Sequence, residues 1–133
     1  MDTRQQKISH LKALYYVACA DNHLSQAETV YIKIVAERLG VNADEIQKFD
    51  GQEPELELPD KEYKLYSLFH RLAHIIMIDN DPHEKEIQFC FDLGVKMGLN
   101  PNAIREIIDH VASHGAMRTT PSDVMNIFRK YLN

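Results

Sequence analysis

The chain has 133 residues, with 20 acidic and 15 basic side chains and a formal net charge of −5. That length fits one domain with a core of its own. An acidic balance without a basic cluster speaks against binding the phosphates of a nucleic acid. The N-terminus, MDTRQQKISH, lacks the apolar stretch of a targeting segment, and no apolar run approaches the roughly 20 residues of a membrane span. The expectation is a soluble, all-α, cytoplasmic protein with no membrane span, forming one domain over residues 1–133. Cys19 and Cys90 lie in apolar helical patterns without CxxC spacing, which predicts two reduced thiols packed as small hydrophobes.

In chain order, the first predicted helix runs to about Ala20, with Leu11, Leu14, Tyr15 and Ala18 on one face. The turn Asp21-Asn22-His23-Leu24 follows. Ser25 and Glu28 then have the S-x-x-E form of a capping box, in which the serine accepts from a free backbone N–H and the glutamate reaches back. A second helix carries Val30, Tyr31, Ile34 and Val35 and stops at Gly40, and a short third one, about Ala43–Phe49, starts from Asn42. Residues 50–60, DGQEPELELPD, read as an acidic, solvated connector.

A long helix is predicted from about Asp60 to Ile78, with a core stripe of Leu65, Leu68, Phe69, Leu72 and Ile76. The turn Asp79-Asn80-Asp81-Pro82 follows, and Asp81 before Pro82 reads as the next helix start. That helix ends at Gly98, and another runs from Asn100-Pro101 to about His114. Last comes a helix over about 120–132, opened by Thr120-Pro121-Ser122-Asp123 and carrying Val124, Ile127, Phe128, Tyr131 and Leu132 as an apolar stripe.

The two halves resemble each other. Residues 11–49 lie on 69–107 without a gap, and seven positions are identical: Leu14/Leu72, Asp21/Asp79, Asn22/Asn80, Glu28/Glu86, Gly40/Gly98, Asn42/Asn100 and Ile46/Ile104. The pattern predicts two tandem three-helix repeats, about 4–49 and about 61–114, and a bundle of about seven helices.

Two features could carry chemistry. Asp21, Glu28, Asp79 and Glu86 recur at the same turns, and two-fold packing of the copies would bring four carboxylates together. Hard divalent cations such as Ca²⁺ or Mg²⁺ take such oxygens. Helix grammar alone also accounts for much of the pattern, since Glu28 fits a capping box and Asp21 a turn. The other feature is two i,i+4 histidine pairs, His70/His74 and His110/His114, which put imidazoles on one helix face as zinc sites do. A histidine metal centre would require the two pairs to meet, and HExxH is absent. Nothing marks a nucleophile, a phosphate loop or a catalytic residue.

The stretch Ala18-Cys19-Ala20-Asp21-Asn22-His23-Leu24-Ser25-Gln26-Ala27-Glu28, then Ile34-Val35-Ala36-Glu37-Arg38-Leu39-Gly40-Val41, resembles the A-D-G-x-[IVL]-S-x-x-E … A-x-x-L-G-[IVL] signature of the TerB-like family. That family includes tellurite-resistance TerB and the N-terminal region of DjlA-type co-chaperones. The resemblance covers residues 8–114 and implies a helical bundle without enzymatic activity, stress-associated, with an acidic cluster for a divalent cation. Carried over by position, the cluster is Asp21, Glu28, Asp79 and Glu86. Asn22 and Asn80 replace the family's glycine, and asparagine is the residue next best suited to left-handed backbone. His83 stands where the first copy has Ser25. There is no His-Pro-Asp motif, hence no J-domain chemistry. The alternative is a protein-interaction adaptor without metal, using an apolar groove or the C-terminal helix; a protein partner is expected, and a homodimer is one option for it.

Overall fold

The computed structural model describes residues 3–79, 83–115 and 118–132. Among these, six α-helices and one 3₁₀ helix follow in order: α1 (Arg4–Ala18), α2 (Gln26–Leu39), the 3₁₀ helix (Ala43–Lys48), α3 (Glu62–Ile76), α4 (Glu84–Lys96), α5 (Pro101–His114) and α6 (Pro121–Lys130). The fold is an all-α bundle, as the helical periodicity predicts.

Local chemistry sets the helix ends. Capping boxes at Thr3/Gln6, Ser25/Glu28 and Thr120/Asp123 open α1, α2 and α6, and each satisfies two backbone N–H donors that a bare helix start leaves orphaned. Asn100 caps α5 ahead of Pro101. Gly40 ends α2 with φ of 75°, a left-handed geometry that costs a side chain about 1–2 kcal/mol. Asn22 takes the same geometry, φ 62°, so the turn keeps its shape with asparagine. Its counterpart Asn80, with Asp81 and Pro82, lies outside the described residues. The start predicted at Asp81-Pro82 falls later: His83 is the N-cap of α4. The short third helix is 3₁₀ rather than α, one residue shorter than predicted.

One apolar cluster joins every helix. α1 packs against α2, α3 and α4, while α6 closes over α3 and α5. Tyr16 on α1 stacks on Phe89 on α4 at 4.6 Å, and Tyr66 on α3 stacks on Phe128 on α6 at 4.2 Å. These pairs combine large apolar burial with an offset ring geometry. Gly94 on α4 lets α5 and α3 approach closely. A Cβ there would stand 2.7 Å from Ile104 Cδ1 and 2.8 Å from a Phe69 ring carbon. On α6 the stripe is buried at Val124, Ile127 and Phe128, whereas Leu132, past the helix end, is exposed.

The connector 50–60 differs from the solvated segment predicted. Ser9, buried on α1, receives the N–H of Glu57 at 2.9 Å and donates to the carbonyl of Glu55. Gln6 Nε2 donates to the carbonyl of Leu58 at 3.2 Å. Leu56 and Leu58 pack on the core while Glu55 and Glu57 face solvent. An extended backbone turns alternate residues to opposite sides, so this Glu-Leu-Glu-Leu run has one apolar face.

Candidate acidic site between two helix starts

Glu28 and Glu86 each occupy the third position of a helix, on α2 and α4. Both are buried, with 3% and 5% of their surface exposed, which is rare for a carboxylate without a cationic partner. α1 packs on both helices. Glu86 comes up against the Glu28 carboxylate, and the charges of Asp21 and Asp79 reach it as well. Of the four residues singled out in the sequence, Glu28 and Glu86 are the two that are buried, and Asp21 and Asp79 reach Glu86 through their charge.

The surroundings of the two glutamates differ. The Ser25 N–H donates to Glu28 Oε1 at 2.9 Å, and the Glu28 N–H donates to Ser25 Oγ at 3.1 Å. At α4 the cap is an imidazole: the Lys85 N–H donates to His83 Nδ1 at 3.1 Å, and no reciprocal bond to Glu86 forms. Glu86 Oε2 is left buried with no hydrogen-bond donor. Such an orphaned acceptor costs about 1–3 kcal/mol, more if it is charged. Burial first, then the charge of Glu28, its hydrogen bond and the charges of Asp21 and Asp79, hold the Glu86 carboxyl well above the usual carboxylate range. Burial against a second carboxylate thus disfavours the charged form of Glu86, as like charges in close contact do.

Asp21 is half-buried and accepts the N–H of His23 at 3.0 Å, an Asx turn, while Asp79 is exposed. Cys19 is half-buried beside the cluster. Its thiol is pushed up by burial and by the charges of Glu28, Asp21 and Glu86, against a hydrogen bond from Tyr15 that lowers it, so it stays a neutral thiol. Its place here is a feature that sequence pattern alone does not bring out, although it precedes Asp21 by only two positions. Among the described residues, no group of three or more His, Cys, Asp and Glu side chains is spaced to hold a metal ion.

One histidine of each pair, His70 and His110, meets the other across a threonine. His70 Nε2 donates to the carbonyl of Thr119 at 2.9 Å, and His110 Nδ1 stands 3.1 Å from Thr119 Oγ1. Thr119 Oγ1 donates to the carbonyl of Gly115, so it accepts from His110. His114 Nδ1 contacts the carbonyl of His110 at 3.1 Å. The His70 and His110 nitrogens fasten α3 and α5 to the segment before α6.

No helix is long and apolar enough to cross a membrane among the described residues. Residues 1–50 match the model of the family described as tellurite resistance protein TerB. No curated protein and no solved structure matches the chain. The matched part holds α1, the Asp21-Asn22 turn, the Ser25–Glu28 capping box, α2 and the 3₁₀ helix, and it supports a TerB-like assignment for the chain, carried by its first fifty residues.

Proposed function

We propose that this TerB-like chain is a non-enzymatic, stress-associated protein in which a divalent cation replaces the proton shared by Glu28 and Glu86. The observation that carries the reading is the buried, donor-less Oε2 of Glu86 facing a second carboxylate. Two remedies exist for such an atom: a proton or a cation. The donor set, oxygen only, fits a hard ion. Glu28 and Glu86 would hold the ion, Asp21 and Asp79 would add negative potential, and the ion would supply charge neutralisation and rigidity.

The number of ligands favours one ion class. Only two carboxylates are in contact, and Mg²⁺ is commonly held by one or two carboxylates while retaining waters; Ca²⁺ asks for about six to eight oxygens. Mg²⁺ is therefore the preferred ion, with Ca²⁺ the weaker one. Binding must also release the shared proton, so affinity rises with pH.

Calorimetric titration with Mg²⁺, Ca²⁺ and Mn²⁺, in two buffers of different ionisation enthalpy, tests this. The expected result is binding of Mg²⁺ with release of about one proton per ion, lost in Glu86→Gln. Binding that persists unchanged in Glu86→Gln, or no response to any of the ions, contradicts the reading. The adaptor alternative draws support from Val30 and Ile34, two exposed apolar residues one turn apart on α2. Retained function in cells of the Glu86→Gln protein alongside loss in Val30→Ser/Ile34→Ser would favour it.

A further inference from the structure

A cleft of about 840 Å³ lies between α2, α3, the C-terminal end of α5 and the residues Arg118 and Pro121. It shares no residue with the carboxylate site. Its cations come from three separate stretches of sequence: Arg38 on α2, Arg71 on α3, and Arg118 ahead of α6. No carboxylate lines it among the described residues. This is unexpected in a chain with an excess of acidic side chains.

The arginines are also unspent. The ion pairs among the described residues engage Arg4, Lys48, Lys96 and Lys130, and none engages Arg38, Arg71 or Arg118. Arg71 is half-buried, and its Nη1 has only a neutral-type partner, His10 Nε2 at 3.3 Å. Burial pulls its pKa down, and so does the like charge of Arg38. Holding two guanidinium groups together without a counter-charge is unfavourable in the protein alone. The carboxylate whose charge reaches His70, Asp123, is tied to the cap of α6 through the Thr120 N–H.

The remaining wall fits an organic ligand. Tyr31 packs its ring on His74 at 4.9 Å, and its hydroxyl feels both Arg71 and Arg38. Burial keeps that phenol protonated, with its pKa pushed up to about 12, so it can donate. Burial likewise holds His70 and His74 below the usual histidine range; the charge of Arg71 adds to this at His70, and the neighbouring His70 adds to it at His74. The fixed positive charge of the cleft is therefore that of the three arginines. Ile34, Val35, Met77 and Ile78 line it with apolar surface. The volume is in the range of small-molecule sites, which pair an apolar wall with a few placed polar groups.

We propose that this cleft binds a small organic oxyanion, a carboxylate or phosphate carried on an apolar body. Arg38 and Arg71 grip the oxyanion with their planar forks, Arg118 adds charge at the mouth, Tyr31 donates a hydrogen bond, and the aliphatic wall covers the body. A guanidinium fork matches two oxygens of a carboxylate or phosphate at once, which an ammonium cannot do.

Calorimetry or chemical-shift titration of the full chain with phenyl phosphate, octanoate and inorganic phosphate tests the site. The expected result is saturable binding of phenyl phosphate or octanoate, at least about tenfold tighter than inorganic phosphate, because burying the apolar body adds more than about 1.4 kcal/mol. Arg38 is exposed, so Arg38→Gln keeps the fold and should weaken binding about tenfold or more, as loss of a charge-assisted bond does. Arg71→Lys, which retains charge but not the fork, should weaken it as well, with Mg²⁺ binding unaltered in both. No binding of either organic anion at about 10 mM, where even a weak site of Kd near 1 mM is mostly filled, overturns the proposal. So does binding indifferent to Arg38→Gln and Arg71→Lys, or inorganic phosphate binding as tightly as phenyl phosphate.

Discussion

At the start of α2, Glu28 is answered: Ser25 gives its N–H to one carboxylate oxygen and takes the N–H of Glu28 in return. At the start of α4, Glu86 holds the same helical position, but the cap is His83, whose Nδ1 takes the Lys85 N–H and gives nothing back. One substitution at the cap, serine against histidine, frees a carboxylate from local duty. That carboxylate is then buried against its own counterpart. Identical residues at equivalent positions thus do unlike things. A capped glutamate stabilises its helix; an uncapped, buried one costs stability and becomes available to a ligand.

The comparison extends to the last turns of the two helices, and there the largest effect is expected. Ala36 on α2 aligns with Gly94 on α4, and both are buried. An added Cβ at residue 94 would collide with Ile104 and Phe69. Gly94→Ala should destabilise by about 2–3 kcal/mol, in the upper part of the overpacking range, as read from urea unfolding. An unchanged midpoint would mean that α4 and α5 are not packed so closely.

Glu86→Gln comes next, with the opposite sign. An amide keeps the shape, can donate to Glu28 and carries no charge to desolvate. It should stabilise the protein near neutral pH by about 1–2 kcal/mol. Loss of stability would show that Glu86 has a partner worth more than its desolvation.

The same residue sets a pH dependence. Its folded pKa lies above the unfolded value, so over the interval between them the native state binds more protons than the unfolded one. Stability then falls as pH rises, by up to 1.36 kcal/mol per pH unit for a single group. Stability from this residue is fully present below the ordinary carboxylate range and is lost as pH climbs toward the raised value. Denaturation at about pH 5 and pH 8 should show the loss in the wild type and not in Glu86→Gln. Equal slopes would contradict it.

The smallest contrast separates the caps. Ser25→Ala should cost about 1 kcal/mol, as loss of a good N-cap does, whereas His83→Ala should cost less than about 0.5 kcal/mol because histidine is not among the favoured caps. Equal costs would remove the difference on which the comparison rests.

Much of this was legible beforehand. Ser25-x-x-Glu28, Gly40, Asn42, Asn100-Pro101 and Thr120-Pro121-x-Asp123 are local signals whose chemistry acts within one turn, and they placed most helix ends to within two or three residues. Asp21, Glu28, Asp79 and Glu86 were visible as a set because they recur at one offset. What local pattern could not give is which of them is buried. Burial of Glu86 depends on α1 packing against both α2 and α4, a tertiary fact. The arginine cleft was invisible for a similar reason. Arg38, Arg71 and Arg118 are far apart in sequence, and no periodic signal links them. The docked connector did carry a signal, the alternation of Glu55-Leu56-Glu57-Leu58, but its four residues are outweighed by the acidic, proline-bearing segment around them.

The shared proton is open to direct measurement. Side-chain carboxyl carbon shifts of ¹³C-labelled protein, followed by NMR against pH, report each glutamate separately. The account predicts that Glu86 titrates well above the usual carboxylate range and that saturating Mg²⁺ moves its titration sharply down. A Glu86 carboxyl that titrates like an exposed surface glutamate, with or without the ion, would contradict it.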